Sequence, residues 1–441
     1  MAVSQSADTI IAHASGAGAA AVAVIRVSGP AASVVLDALC GGLPAPRVAT
    51  LRPIGPPHWT LIDRGFVLWF PAPASFTGED MAELQVHGSR AVVSELIEAA
   101  LSLDGVRLAE PGEFVRRAFA NTKIDLRQVE GLADLVNAET RLQREQALAQ
   151  AEGIPSARYE AWRQSLLKAQ GFVEAGLDFA DEADVGAGIA EQAESIVASL
   201  VAELDQALQG RGERLRAGVR IVIAGPPNAG KSSLMNVLAR RDVAIVSHEA
   251  GTTRDVIEVH LDLGGLPVTL IDTAGLREAA SSIEAEGIAR ALSRAEDADL
   301  LLWIVDASDP LWQPPDALAT KPRIIVLNKI DLAPDTKADG DVVAASAKTG
   351  QGIDRLIDRL EQEASSATEE GAGGALMTRA RHRIELEGAR DALVRFRDVP
   401  AAPELKAEEL RVAARHLGRL TGRIDVEDVL GEIFAEFCIG K

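Results

Sequence analysis

The pattern of apolar and polar positions changes along the chain and divides it into regions of different predicted structure. In the first region, short apolar runs closed by glycine or proline predict strands over residues 21–27, 65–70 and 81–86. Apolar residues at helical spacing then predict a helix over residues 90–103. Strands mixed with a helix predict a small α+β unit.

The second region has the spacing of long amphipathic helices. Residues 126–151, 157–175 and 189–208 carry apolar side chains at helical intervals and few glycines or prolines, so we expect three helices. Residues 210–218 are basic and contain glycine, which predicts a linker.

Strand and helix patterns alternate in the third region, between residue 219 and about residue 365. The candidate strands are residues 219–224, 267–272, 300–305, 323–327 and 342–346. Three of them are nearly continuous apolar runs, as strands covered on both faces of a sheet require. This alternation is typical of a parallel sheet in an α/β domain.

Helical spacing returns at the C-terminal end of the chain. A small, acidic, glycine-rich linker over residues 366–375 leads to predicted helices at 376–396, 407–420 and 426–437. Helices therefore flank the α/β module on both sides. They form either one helical domain into which the module is inserted or two separate helical units, and periodicity does not distinguish these arrangements.

Composition narrows the class of protein. The chain has 441 residues, 47% of them hydrophobic and 25% charged, which is typical of a soluble globular protein with several domains. A net charge of −20 argues against an autonomous, nonspecific nucleic-acid binder, although it leaves room for a local basic patch or a basic partner.

The sequence lacks the patterns that would indicate a membrane location, secretion or a metal site. No apolar run approaches the ~20 residues that span a bilayer, and no signal peptide is visible, so we expect a cytoplasmic protein without membrane contact. Cys40 and Cys438 are too far apart in the chain for a metal-site spacing or a disulfide framework. The seven histidines show no paired spacing that would indicate a metal site.

A phosphate-binding loop is the most specific motif. Residues 225–232 read GPPNAGKS, which matches G-x-x-x-x-G-K-[ST] and lies between a predicted strand and a helix. The glycines let backbone N–H groups face phosphate oxygens at a helix N-terminus. Lys231 is predicted to reach the β- and γ-phosphates and Ser232 to hold Mg²⁺.

Three further motifs follow in the order that a GTPase needs. Residues 251–255 read GTTRD, where Thr253 is placed to bind Mg²⁺ once the γ-phosphate orders the loop. Residues 272–275 read DTAG. Asp272 is placed near the metal, beyond its direct ligands, and the Gly275 amide is placed to donate to the γ-phosphate. Residues 328–331 read NKID, where the Asp331 carboxylate can accept two hydrogen bonds from guanine that adenine cannot donate. The predicted nucleotide-binding residues are Asn228, Ala229, Gly230, Lys231, Ser232, Ser233, Asp272, Thr273, Ala274, Gly275, Asn328, Lys329, Asp331, Ser346, Ala347 and Lys348.

Motifs outside the nucleotide site extend over nearly the whole chain. They are VIRVSG at 24–29, TGED at 77–80, PGEF at 111–114, KIDL at 123–126 and CIGK at 438–441. With these motifs the chain resembles the MnmE (TrmE) family of tRNA-modifying GTPases.

The resemblance implies a fold class and domain boundaries. It implies an N-terminal α+β folate-binding and dimerisation domain at 1–121, a discontinuous helical domain at 122–217 and 376–441, and an inserted Ras-like P-loop GTPase domain at 218–375.

The resemblance also implies an activity with partners. A homodimer would work with the FAD-containing partner MnmG (GidA), in a heterotetramer or larger complex. Together they would add a carboxymethylaminomethyl-type group to C5 of the wobble uridine, position 34, of certain tRNAs, with a tetrahydrofolate derivative supplying one carbon. The implied folate contacts are Arg26, Glu83, Lys123 and Lys441, whose charges suit the carboxylates and the pterin edge of a folate.

The resemblance assigns the catalytic step as well. Leu276 stands where a Ras-type enzyme carries its water-positioning glutamine, and the resemblance implies that Glu284 orients the attacking water instead, directly or through a second water. The Asn228 amide oxygen is expected to bind K⁺ beside the phosphates, with carbonyls of Ser247, Glu249 and Thr252, in place of an arginine finger. This cation-stimulated hydrolysis would accompany dimerisation of the GTPase domains.

Two questions stay open at the level of sequence. Cys438 is a candidate reactive thiol, but nothing near it in the sequence lowers its pKa. A GTP-dependent regulatory switch in ribosome assembly or signalling is the competing function, and such a switch would need neither the N-terminal motifs nor the C-terminal CIGK. A dynamin-like scaffold would want a membrane-binding segment, and the sequence shows none.

Overall fold

The computed structural model describes residues 8–16, 18–56, 61–178, 183–241, 243–245, 258–272, 298–314, 318, 321–333, 342–368, 376–398, 403–424, 431, 433–434, 437 and 440. The chain divides into two compact units. One comprises the described residues of Met1–Ala133, Gln150–Glu160 and Leu417–Lys441, and the other those of Asp134–Ala149 and Ala161–His416.

The N-terminal part of the first unit is a six-stranded sheet with helices, as the sequence predicts. Its elements are β1 (Thr9–His13), β2 (Ala20–Ser28), α1 (Ala32–Cys40), β3 (Thr50–Ile54), β4 (Asp63–Phe70), β5 (Met81–Gly88), α2 (Arg90–Leu101), β6 (Val106–Leu108) and α3 (Glu113–Ala120). The strand order is β3-β4-β5-β2-β1-β6, and only β1 and β6 pair in parallel. The short strands β1, β3 and β6 were not predicted, because they have too few residues for a clear alternation.

Alternation along β5 gives the sheet two different faces. Ala82 and Leu84 point into the core that α1 and α2 cover. Met81 lies on the opposite face, in a cluster with Phe114 of α3. Because successive side chains of a strand alternate between faces, Glu83 shares the face of Met81.

The helical region contains more elements than the periodicity predicts. Its helices are α4 (Leu126–Asn137), α5 (Arg141–Ala151), α6 (Ile154–Asp178), α7 (Ala183–Leu208) and α8 (Gly212–Ala217). The prediction of one helix over residues 126–151 is wrong, because a capping box starts a new helix at Thr140. The Gln143 side chain accepts from the Thr140 amide at 3.1 Å, and Thr140 Oγ1 accepts from the Gln143 amide at 3.4 Å. The linker predicted at 210–218 contains α8.

The α/β module has the fold of a Ras-like P-loop GTPase. It contains β7 (Val219–Ala224), α9 (Lys231–Leu238), β8 (Glu258–Leu263), β9 (Leu266–Asp272), β10 (Leu300–Asp306), β11 (Arg323–Asn328), β12 (Val342–Ala344) and α10 (Ile353–Thr368). The strand order is β12-β11-β10-β7-β9-β8, and all neighbours are parallel except β8 and β9. All five predicted strands are confirmed, whereas β8 was not predicted.

The two chain connections of the module meet at one carboxylate. Arg216, just before β7, places its Nε 2.7 Å from Oδ1 of Asp134. Arg379, just before α11 (Ala380–Asp398), places its Nη2 3.0 Å from the same oxygen. Helix α12 (Pro403–Leu420) follows. Most of the helix predicted at 426–437 lies outside the described residues.

Candidate functional site

The phosphate loop joins the end of β7 to the start of α9, and its backbone needs glycine at particular points. Gly230 has φ +95°, and a Cβ there would lie 2.3 Å from Nδ2 of Asn328. Gly225 has φ +153°, and a Cβ there would lie 2.3 Å from the Ile304 carbonyl oxygen. Asn228 adopts φ +61°, a left-handed conformation that asparagine tolerates better than most residues. The loop is therefore tightly constrained between neighbouring strands.

Lys231 is folded over this loop. Its Nζ donates to the carbonyls of Gly225 and Pro226, each at 2.9 Å. Burial lowers the pKa of the Lys231 ammonium, and the Asp272 carboxylate opposes that shift. The ammonium is thus held directly over the backbone that would surround the phosphates, where it can exchange carbonyl oxygens for phosphate oxygens.

Ser232, one of the two predicted magnesium ligands, lies next to Asp272, which was predicted to stand near the metal; Thr253, the other predicted ligand, lies outside the described residues. Ser232 lies in the first turn of α9, and its Oγ donates to Oδ2 of Asp272 at 3.1 Å. Asp272 ends β9 and is 1% exposed. A hydroxyl and a carboxylate oxygen at the end of a parallel strand are suitable donors for a hard cation such as Mg²⁺.

The guanine-reading motif is linked to the phosphate loop. Asn328 is 1% exposed; its Nδ2 donates to the Ala229 carbonyl at 2.8 Å, and its Oδ1 accepts from the Ala347 amide at 3.1 Å. The Ser346 hydroxyl donates to Oδ1 of Asp331 at 2.7 Å and so orients that carboxylate. These contacts bring together three predicted segments that are far apart in sequence.

The sequence analysis missed Asp306, at the end of β10. Its Oδ2 lies 2.6 Å from Nζ of Lys329. Although burial raises the pKa of Asp306, hydrogen bonds from Lys329 and Ser308 lower it below its usual range. The Asp306 carboxylate therefore holds the side chain of Lys329, the lysine of the NKID motif, in an ion pair. The signal was its place at the end of an apolar strand, the same position that Asp272 occupies.

Two predicted site residues lie on the surface, and ten others lie outside the described residues. Ser233 and Lys348 are exposed beside the loop and the base segment, respectively. Those outside the described residues are Ser247, Glu249, Thr252, Thr253, Thr273, Ala274, Gly275, Glu284, Cys438 and Lys441.

A second candidate site lies on the Glu83 face of the N-terminal sheet. A cavity of about 410 Å³ is lined by Arg47, Phe70, Ala74, Ser75, Phe76, Met81, Glu83 and Lys123. Glu83 and Lys123, both predicted for folate, line this one cavity. It combines aromatic and apolar walls with a few charged groups, a composition typical of small-molecule sites.

Arg26 reaches this cavity through Glu83. It faces Glu83 across the β2–β5 pair, and its Nε and Nη2 donate to Oε1 of Glu83 at 3.1 and 3.0 Å. Its Nη1 donates to the carbonyl of Gly440 at 3.3 Å, so Gly440 lies beside the same pair. In this structure Arg26 orients Glu83 and donates to the backbone of Gly440.

Comparisons of the sequence with known proteins show which family the chain resembles. The family described as "GTP-binding protein TrmE N-terminus" matches residues 9–123, and that described as "MnmE helical domain" matches residues 126–438. The tRNA modification GTPase MnmE of Rhodopseudomonas palustris is 51% identical, covering 98% of this chain and 99% of the relative. The protein of that name from Parvibaculum lavamentivorans is 52% identical, covering 98% of this chain and all of the relative. Among solved structures, the G domain of the T. maritima FeoB iron transporter is 29% identical and covers 33% of this chain and 98% of that chain, with a TM-score of 0.27.

Proposed function

This chain belongs to the MnmE family of tRNA modification GTPases, and we propose that it couples GTP hydrolysis to modification of the wobble uridine of tRNA. As a GTP hydrolase it acts in tRNA modification. The finer proposal is that, with an FAD-containing MnmG-type partner, it adds a carboxymethylaminomethyl-type group to C5 of uridine 34. The cavity beside Glu83 carries this proposal, because a regulatory switch has no need of a second small-molecule site in the same chain.

In the proposed hydrolysis, the residues of the described site bind and orient GTP. Asp331 selects guanine, Lys231 neutralises the β- and γ-phosphates, and Ser232 with Asp272 places the Mg²⁺ that supplies charge stabilisation. Thr253 joins Ser232 as a metal ligand when its loop is ordered.

Glu284 and Asn228 have separate proposed roles in the same reaction. The Glu284 carboxylate orients the attacking water, since Leu276 cannot. Asn228 lies exposed in the loop, where its amide oxygen can bind K⁺ together with carbonyls of Ser247, Glu249 and Thr252. Those partners belong to a different loop, and we propose that the cation site forms only when two GTPase domains face each other across the dimer and order that loop.

The cavity on the N-terminal sheet is proposed to bind a tetrahydrofolate derivative. Glu83 can accept hydrogen bonds from the pterin's N–H edge because Arg26 holds the carboxylate in one orientation. Lys123 and Lys441 supply positive charge for the folate carboxylates. Gly440 accepts a hydrogen bond from Arg26, which supports the proposal that Lys441, the next residue in the chain, contributes to folate binding.

The remaining proposals concern organisation and partners. We propose the three domains at 1–121, 122–217 with 376–441, and 218–375, a homodimer, a heterotetramer or larger complex with the MnmG-type protein, and a cytoplasmic location. No helix among the described residues is long and apolar enough to cross a membrane. The net charge of −20 favours a partner that supplies much of the affinity for tRNA.

The deciding experiment measures wobble uridines by mass spectrometry in tRNA from a strain that lacks this protein. We expect loss of the C5 group, its return with the wild-type chain, and no return with Lys231→Ala. Unchanged uridines in the deletion strain would favour the regulatory switch instead. Restoration by Lys231→Ala would show that modification proceeds without the GTPase cycle.

A further inference from the structure

Two cationic side chains that line the proposed folate cavity donate hydrogen bonds to neighbouring carbonyls of one loop. Lys123 donates from Nζ to the Pro73 carbonyl at 3.0 Å, and Arg47 donates from Nη2 to the Ala74 carbonyl. Both side chains are exposed and line the cavity. Adjacent residues have Cα atoms ~3.8 Å apart, so the two charged groups are brought to the same short stretch of backbone.

Neither cation has a carboxylate partner among the residues that the structure describes, whereas the nearby carboxylates are occupied. Glu83 is paired with Arg26, and Glu79 with Arg117. Asp80 accepts from the Ala72 amide at 2.8 Å. In a chain with a net charge of −20, two cations whose hydrogen-bond acceptors are neutral carbonyls create a local positive region.

The loop that carries these carbonyls is fixed before any ligand arrives. The Asn121 side chain donates to the Thr77 carbonyl at 2.8 Å, and the Ser28 hydroxyl donates to Glu79 at 2.8 Å. Gly78, at φ +80°, packs against the stem of Lys123, and a Cβ there would lie 3.3 Å from its side-chain carbons. The guanidinium of Arg47 lies 5.6 Å from the ring centre of Phe70, which restrains it through a cation–π contact.

We propose that Arg47 and Lys123 form an anion-binding rim that selects folates carrying more than one glutamyl residue. The inference rests on the proposed folate site and adds Arg47 as a residue that determines specificity. Each γ-linked glutamate adds one carboxylate to the ligand's tail, and the rim offers two cations whose present partners are uncharged. Charge-assisted hydrogen bonds to carboxylates are stronger than those to carbonyls, so the longer tail displaces the carbonyl contacts.

The test compares the binding of tetrahydrofolate with one or three glutamyl residues, measured by calorimetry on the full chain under reducing conditions. The wild-type chain should bind the triglutamate about tenfold more tightly, and the advantage should shrink as salt is raised. Arg47→Gln should reduce the advantage to about twofold or less. Arg47→Lys, which keeps the charge, should restore part of it.

Arg64→Gln is the matched control, because Arg64 is an exposed arginine on β4 that does not line the cavity. It should keep the full triglutamate advantage. If neither folate binds the wild-type chain, the proposed folate site itself is wrong. If both bind equally well, or if Arg47→Gln keeps the tenfold preference, the folate site stands and the rim is wrong.

Discussion

The side-chain amide of Asn328 donates a hydrogen bond to the carbonyl of Ala229 over 2.8 Å, so the segment proposed to read the base holds the loop proposed to bind the phosphates. The amide has a second hydrogen to donate, which leaves it able to meet the base as well. Base recognition and phosphate binding therefore share one rigid frame, and a change on either side affects both.

Gly230→Ala tests this frame. The new Cβ would lie 2.3 Å from Nδ2 of Asn328 at a residue with φ +95°, so the loop must shift. We expect GTP affinity to fall by roughly 10²-fold or more in equilibrium binding. Gly105→Ala is the control, since Gly105 has φ +77° but open space around its Cβ position. Equal GTP affinity in the two variants would contradict the frame.

Asp331→Asn tests base recognition. The substituted amide presents a donor where guanine also donates, so GTP affinity should fall by roughly 10²-fold or more while xanthosine triphosphate gains affinity. Competition binding with both nucleotides measures the change. Asp354→Asn, at an exposed position of α10, should leave both affinities unchanged. Unaltered GTP binding by Asp331→Asn would rule out the assignment.

Glu284→Ala tests the proposed water-orienting group. GTP binding should stay nearly intact while kcat falls by roughly 10²-fold or more, as the loss of a general base predicts. The controls are Glu278→Ala and Glu286→Ala, which remove neighbouring carboxylates in the sequence and should retain most of the rate. A full kcat in Glu284→Ala would exclude the role.

The proposed cation site predicts that hydrolysis is faster in potassium than in sodium or caesium at constant ionic strength. Asn228 has φ +61°, so Asn228→Ala adds backbone strain to the loss of the amide, whereas Asn228→Gly removes the amide alone. Both variants should lose the preference for potassium. A native rate that ignores the cation would favour Arg254, whose guanidinium could supply the positive charge instead, and Arg254 would be the next residue to substitute.

Acid sensitivity of the N-terminal sheet follows from Glu113, which is 2% exposed. Burial would raise the pKa of this carboxyl, but hydrogen bonds from Arg107, the Glu110 amide and Arg117 lower it to about 2. A depressed pKa stabilises the fold above the ordinary value of 4.5, and this stability is lost as pH falls toward 2. The contribution is on the order of 3 kcal/mol.

The measurement is peroxide oxidation of buried methionines in urea, read by peptide mass spectrometry. Met81 reports the N-terminal sheet and Met235 the GTPase module. Between about pH 5 and 7, Glu113→Gln should lower the urea concentration at the midpoint of Met81 oxidation relative to wild type. This difference should vanish toward pH 2. Glu110→Gln removes an exposed carboxylate and should have little effect. A difference independent of pH would refute the assignment to ionised Glu113.

Local signals predicted much of this structure, and long-range contacts account for what they missed. The GPPNAGKS loop and the apolar strands of the module are local patterns, so their places followed from sequence. The capping pair Thr140 and Gln143 is also a local signal, for the start of a helix. The apolar spacing on both sides of this pair predicted one continuous helix instead. The rim could not be predicted, because Arg47 and Lys123 meet on the loop at Pro73 and Ala74 only through the fold.

Asp134 binds both Arg216 and Arg379, so the two ends of the GTPase module lie within reach of one oxygen atom. A module with adjacent ends resembles a cassette, because it can be gained, lost or exchanged while the host chain keeps its path. The path of the surrounding helices therefore does not depend on which residues the module contains. Asp134 thus marks the place where the chain enters and leaves the module.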